Sequence, residues 1–105
     1  MRSTITAIIL LLVSLHAARA DTALDLVAAA RAQVGVTLHY DPSYRQIAYP
    51  MGDVPMERGV CSDVVIRAFR ALGVDLQQEL HRDMKRHFAA YPKNWGLARP
   101  DRNID

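Results

Sequence analysis

The sequence predicts a small α+β domain, and two observations carry this prediction. Three segments, 21–35, 61–73 and 74–92, have the apolar periodicity of amphipathic α-helices, whereas 36–40 alternates apolar and polar residues as a strand does. With only one segment of strand character before an irregular end, we expect a mainly helical half of a larger α+β domain, with the sheet largely missing.

The N-terminus has the three parts of a secretory signal peptide. Arg2 provides a positive charge, 5–15 is almost wholly apolar, and Ala20 ends a small-x-small cleavage motif. The apolar run is shorter than the roughly 20 residues that a membrane-spanning helix needs. The alternative interpretation is an N-terminal membrane anchor. We predict a signal peptide at 1–20, a domain portion at 21–105, export to the periplasm or the outside, and no stable membrane insertion after cleavage.

The charge balance argues against a nucleic-acid-binding protein. The whole chain has thirteen basic and eleven acidic residues, and cleavage removes Arg2 and Arg19, leaving eleven of each sign. The mature chain is therefore neutral when its histidines are neutral. Nucleic-acid binding requires a clustered basic surface, so we predict no nucleic-acid partner.

The first predicted helix spans 21–35. Asp21 or Thr22 can cap its N-terminus, and Asp25 lies in the first turn, where the helix dipole favours negative charge. Gly35 ends the helix because glycine readily adopts the left-handed conformation just past the last turn. The apolar face consists of Ala23, Val27, Ala30 and Val34.

The predicted strand at 36–40 leads into a turn signal at 41–43. We expect little regular structure through 44–59, because this segment is rich in proline and glycine. Its apolar side chains indicate that it packs onto the domain, as long functional loops do. The residues that break regular structure here are Pro50, Gly52, Pro55 and Gly59.

The second predicted helix, 61–73, has the clearest pattern. On a helical wheel its apolar residues cover more than half of the circumference, which is typical of a largely buried helix. Only Asp63, Arg67 and Arg70 occupy the polar sector.

In the third predicted helix, Asp75 is the expected cap and Gln78 its capping-box partner. Pro92 ends this helix, and Tyr91 and Trp95 are expected to pack the irregular tail onto the domain. The apolar ridge is Leu76, Leu80, Met84 and Phe88.

Cys61 is the only cysteine, so the chain cannot form an internal disulfide. An unpaired cysteine in an exported protein is a reactive thiol, half of an intermolecular bridge, or a buried inert residue. All three remain open from the residues alone, and the position of Cys61 at a helix start is compatible with a reactive thiol. Unpaired N–H groups and the positive end of the helix dipole stabilise negative charge on sulfur, and the loop before the helix can leave the thiol accessible.

The segments YPMGDVPMERGVCSDVVIRAFRALGVDLQQELHRDM and YPKNWGLARPDRNID resemble a bacterial family known as domain of unknown function 1287. That family is similar in turn to the NlpC-type, papain-like cysteine peptidases and amidases. The resemblance implies a papain-like domain in which Cys61 is the catalytic nucleophile. It also implies substrate-binding or orienting roles for Tyr49, Ser62 and Asp63, although Asp63 stands where the superfamily has glycine.

The resemblance implies an exported cysteine hydrolase that needs no cofactor and acts on cell-wall peptides or another amide. It places the catalytic histidine beyond residue 105, so we expect this chain to be catalytically incomplete. His39, His81 and His87 are expected to be surface or packing residues. The alternative is a non-catalytic binding or structural module of the cell envelope with the same fold.

Metal binding is the other function that the third predicted helix could support. Glu79, Asp83 and His87 share one face of the third helix. Basic residues are interleaved with them, which is typical of a solvated charged face. We predict no metal site. The interleaved residues are Arg82, Lys85 and Arg86.

Overall fold

A computed structural model describes residues 21–94 and 96–103. The predicted signal peptide and the packing of Trp95 lie outside the described residues. Three helices are present, as predicted, together with a small sheet, so the described fold is α+β. The elements are α1 (21–31), β1 (His39–Tyr40), β2 (Arg58–Gly59), α2 (Cys61–Ala71), α3 (Leu76–His87) and a 3₁₀ turn (Phe88–Ala90).

The sheet consists of two short parallel strands. His39 pairs with Arg58 and Tyr40 with Gly59. The amide groups of Leu38 and His39 both donate to the carbonyl of Glu57, at 2.9 and 3.0 Å. The expectation that 44–59 has little regular structure is confirmed for 44–57, and the last two residues form β2, which leads into α2.

The buried side of α2 coincides only in part with the side that the helical wheel indicates. Ile66 and Ala68 of the apolar arc are buried, but Val65 is 49 % exposed and the apolar-arc residue Cys61 is exposed. Asp63 and Arg67 of the polar sector are also buried. The reason is that the loop before β2 lies across the polar sector and presents hydrogen-bonding groups to it. The apolar arc is only partly covered by the described residues.

Arg67 holds this loop against α2. Its guanidinium forms a two-pronged ion pair with Asp53, with Nε–Oδ2 and Nη2–Oδ1 distances of 2.9 Å. Nη2 also donates to the Arg58 carbonyl at 3.1 Å, and Nη1 to the Thr37 hydroxyl at 3.2 Å. A single buried side chain therefore ties α2 to the loop, to β2 and to the segment before β1.

Gln77, on α3, is completely buried and links the loop around 48–52 to the C-terminal tail at 96–103. Its amide nitrogen donates to the carbonyls of Ala48 at 2.8 Å and Arg102 at 3.0 Å. Its amide oxygen accepts from the Gly52 N–H at 2.9 Å and from Arg70 at 3.3 Å. The loop therefore packs, as predicted, but polar groups account for much of the packing.

Asp75 precedes α3 as predicted, but its carboxylate forms no capping bond with α3. It accepts instead from the Met51 N–H at 2.9 Å and from Nε and Nη2 of Arg70 at 3.1 and 3.0 Å. Burial acts to raise the pKa of Asp75, but the Met51 N–H and the Arg70 guanidinium outweigh it, so that the pKa lies below its ordinary value.

Asp75 is expected to make folding sensitive to acid. Because its folded pKa is lowered, its contribution to stability is complete above the ordinary value of 3.8 and is lost as the pH falls through the folded pKa. Asp75→Asn should therefore lower the free energy of unfolding at neutral pH and flatten its fall in acid. Urea unfolding across pH measures both effects. Glu79→Gln, at an exposed pair with Arg82, is the control; an equal response in both variants would contradict the assignment.

The apolar face predicted for α1 is largely exposed. Val27 and Val34 are 49 % and 82 % exposed, and Leu38, just before β1, is 64 % exposed. The turn that follows α1 is joined to α2 by a polar contact, since the Gln33 amide nitrogen donates to the Val64 carbonyl at 2.8 Å. In the part of the chain that the structure describes, no helix combines the length and apolar content that a membrane crossing requires.

Candidate active site around Cys61

Cys61 is exposed as the first residue of α2, and its neighbours define the chain path into the helix. The Asp63 carboxylate accepts a hydrogen bond from the Val60 N–H at 2.7 Å. Gly59 has a φ of +149°, and a Cβ there would lie 2.7 Å from Asp63 Oδ2. A side chain at position 59 would thus be strained and would displace the carboxylate. Gly59 and Asp63 together set the turn that presents Cys61.

The start of α2 offers unpaired donors close to the thiol. The N–H groups of Asp63 and Val64 both point to the Val60 carbonyl, at 3.1 and 3.4 Å. Within 21–94 and 96–103, the N–H groups of Cys61 and Ser62 have no hydrogen-bond partner. Donors in this position can stabilise an oxyanion formed when the sulfur attacks a carbonyl.

Cys61 opens onto an apolar cavity of about 560 Å³. Apart from the thiol and the Ser62 hydroxyl, the lining side chains are aliphatic. Small-molecule sites are commonly apolar concavities with few polar groups, so the cavity can hold an apolar part of a substrate beside the sulfur. The aliphatic lining residues are Val65, Ile66, Leu76 and Leu80.

The structure divides the four residues implied by the resemblance among three places. Cys61 and Ser62 line the same cavity, whereas Asp63 is buried and its carboxylate accepts a hydrogen bond from the Val60 N–H. Tyr49 lines a different cavity, where its ring lies edge-on to His81 with centroids 5.0 Å apart. From these contacts, Asp63 positions the start of α2 and does not reach into the Cys61 cavity.

Among the described residues, no histidine lines the Cys61 cavity. His39 is exposed on β1, and His87 is exposed with Nε2 3.9 Å from Asp83. His81 is 7 % exposed and its Nδ1 lies 2.9 Å from the Asp101 carbonyl. Since a carbonyl only accepts hydrogen bonds, Nδ1 carries the proton. The sequence gives no signal for this burial, because the residues that cover His81 come from the loop and the tail.

The acidic residues considered for a metal have other partners. Glu79 pairs with Arg82 at 3.1 Å, and Asp83 accepts the hydrogen bond of the Tyr91 hydroxyl. That bond to Asp83 is the main cause that raises the pKa of Tyr91. Within the described ranges, no three His, Cys, Asp or Glu residues are grouped so as to hold a metal ion.

Comparison with known proteins identifies the family of this chain. Residues 27–105 match the model of the family described as "Domain of unknown function (DUF1287)". The chain is 60 % identical over 87 residues to the "Uncharacterized protein YijF" of Escherichia coli (strain K12). This match covers 83 % of the chain but 42 % of the relative, so the chain spans about two fifths of that protein's length. No solved structure matches the chain. The chain belongs to the DUF1287 family.

Proposed function

We propose that this protein is an exported cysteine hydrolase with a papain-like, NlpC-type fold, and that it cleaves an amide bond. The observation that carries the proposal is the position of Cys61. Its exposed thiol occupies the first residue of α2 and opens onto an apolar cavity, beside two N–H groups that have no partner within the described residues. A nucleophile, oxyanion donors and a binding concavity are the parts that acyl transfer requires.

The chemistry proceeds in two steps. The Cys61 thiolate attacks the amide carbonyl carbon, and its negative charge passes to the carbonyl oxygen, near the N–H groups of Cys61 and Ser62. The C–N bond then breaks, and the amine takes a proton and leaves an acyl thioester on sulfur. Water attacks the thioester, releases the carboxylic acid and restores the thiol. The apolar cavity orients the acyl portion throughout.

The proposed substrates are peptides of the cell wall. Two inferences support this class: the signal-peptide pattern at 1–20 and the resemblance to cell-wall amidases. Because no histidine among the described residues lines the cavity, the mechanism requires a base from outside them.

The test measures release of peptides from purified peptidoglycan by the protein as it is produced in its natural host. Cys61→Ser and Cys61→Ala should both abolish release, because a serine hydroxyl at this position lacks the acidity and nucleophilicity of the thiol. Arg82→Ala, at an exposed helix position, is the matched control and should retain activity. Undiminished release by Cys61→Ser would contradict the proposal.

The lining of the Cys61 cavity, which contains no histidine among residues 21–94 and 96–103, favours one alternative, a non-catalytic binding or structural module of the cell envelope. In this case the cavity binds without cleavage, Cys61→Ser leaves the biological activity unchanged, and Cys61→Ala changes stability only modestly. The two proposals differ in the products released from peptidoglycan, which mass spectrometry detects directly.

A further inference from the structure

A second cavity, of about 670 Å³, lies between the loop at 44–49, α3 and the tail at 99–103. It does not include Cys61 and has no role in the chemistry above. Its lining is largely polar and contains three basic side chains, one histidine and two tyrosines. The residues that matter to its chemistry are Tyr49, His81, Lys85, Arg99 and Arg102.

The basic groups of this cavity are not neutralised by the rest of the described chain. Lys85, Arg99 and Arg102 have no carboxylate within ion-pair distance in 21–94 and 96–103, in contrast to the arginines of α2. One carboxylate, that of Asp101, lines the cavity, and it accepts a hydrogen bond from the Asn103 N–H at 3.1 Å. The cavity therefore has an excess of positive charge, which attracts anions.

His81 supplies a hydrogen-bonding atom to the same cavity. The side chain is more than nine-tenths buried, and its Nδ1 donates to the Asp101 carbonyl at 2.9 Å. In the neutral ring Nε2 is then an acceptor, and it has no hydrogen bond within the described part of the chain. Tyr49 lies edge-on to the imidazole, and the Arg102 guanidinium lies 5.2 Å from the centre of the Tyr49 ring. The acceptor is thus held in place before any ligand binds.

We propose that this cavity binds a small oxyanion that also carries a hydroxyl group. Lys85, Arg99 and Arg102 neutralise the negative oxygens, and Nε2 of His81 accepts a hydrogen bond from the hydroxyl. Hydrogen phosphate and 2-hydroxy carboxylates share this chemistry, whereas sulfate has the charge and shape of phosphate without the hydroxyl. The site and its ligand are independent of the proposed hydrolase activity.

Titration of the folded chain with inorganic phosphate, followed by the NMR shifts of the His81 imidazole, tests the proposal. Phosphate should saturate the shift, and sulfate at equal ionic strength should bind at least about threefold more weakly because it donates no hydrogen bond. Lactate is the second probe: binding tighter than that of phosphate assigns the site to a hydroxy carboxylate, and weaker binding assigns it to phosphate.

Variants distinguish binding at this cavity from general attraction of anions to a positively charged surface. Arg102→Gln and Lys85→Gln should each weaken phosphate binding by about threefold or more, while Arg86→Gln, an exposed charge outside the cavity, should not. In His81→Asn the amide nitrogen can still donate to the Asp101 carbonyl, but the shorter side chain places no acceptor where Nε2 lies. The preference for phosphate over sulfate should therefore vanish, as measured by the backbone amide shifts. Three outcomes would overturn the proposal. The first is that neither phosphate nor lactate saturates the shift, and the second is that the unmodified chain binds phosphate and sulfate equally. The third is that Arg86→Gln weakens phosphate binding as much as Arg102→Gln does.

Discussion

Replacing Arg67 with methionine is expected to lower the free energy of unfolding by about 3 kcal/mol or more. Methionine retains much of the side-chain volume but removes the partner of the Asp53 carboxylate and the donors to the Arg58 carbonyl and the Thr37 hydroxyl. Breaking a buried ion pair is costly because the remaining charge is left without compensation. Equilibrium unfolding in urea measures the change.

Arg82→Met is the matched control for Arg67→Met. Arg82 forms an exposed ion pair with Glu79 on α3, and exposed pairs contribute at most about 1 kcal/mol. If the two variants lose similar stability, Arg67 does not hold the loop to α2. Arg67→Lys should recover only part of the loss, because an ammonium group cannot form the two-pronged contact with Asp53.

Replacing Gln77 with methionine should lower the free energy of unfolding by about 2–4 kcal/mol. This estimate follows from the groups that lose their partner: the carbonyls of Ala48 and Arg102 and the N–H of Gly52. Because methionine and glutamine have similar side-chain lengths, the substitution should leave little empty space, and this adds little to the loss of stability. The loop and the tail should also become more susceptible to proteolysis, because Gln77 connects them.

Gln78→Met provides the control for Gln77→Met, since the adjacent side chain is half-buried and forms none of these bonds. It should change the free energy of unfolding by less than about 0.5 kcal/mol. Equal losses in the two variants would show that α3 tolerates neither change and that the four hydrogen bonds of Gln77 have no special weight.

The helices could be predicted from the sequence because their signals are local. Apolar spacing and Gly73 define α2 within two residues of its observed bounds, and α3 begins one residue after Asp75, its predicted cap. The strand β2 could not be predicted, because two residues show no alternation and their pairing depends on β1 in a distant segment. Burial of Arg67 could not be predicted for a related reason: a helical wheel does not include the carbonyl groups that the loop presents.

The candidate site was predicted in part. A helix start and a preceding loop are local features, and they placed Cys61 at an exposed first turn. Tyr49 lies in another cavity because its neighbours, His81 and Arg102, come from α3 and the tail. Such contacts depend on tertiary packing. The polar bonds that Gln77 makes to the loop and the tail likewise have no counterpart in apolar periodicity.

The rate at which Cys61 is alkylated by iodoacetamide at neutral pH tests the central claim most directly. The control is a peptide of sequence GVCSDVV, which has the same neighbours but no stable helix. If the start of α2 activates the thiol, the folded chain should react about tenfold faster than the peptide. A rate equal to or below that of the peptide would show that Cys61 is an ordinary surface thiol in this chain and would contradict its assignment as the nucleophile.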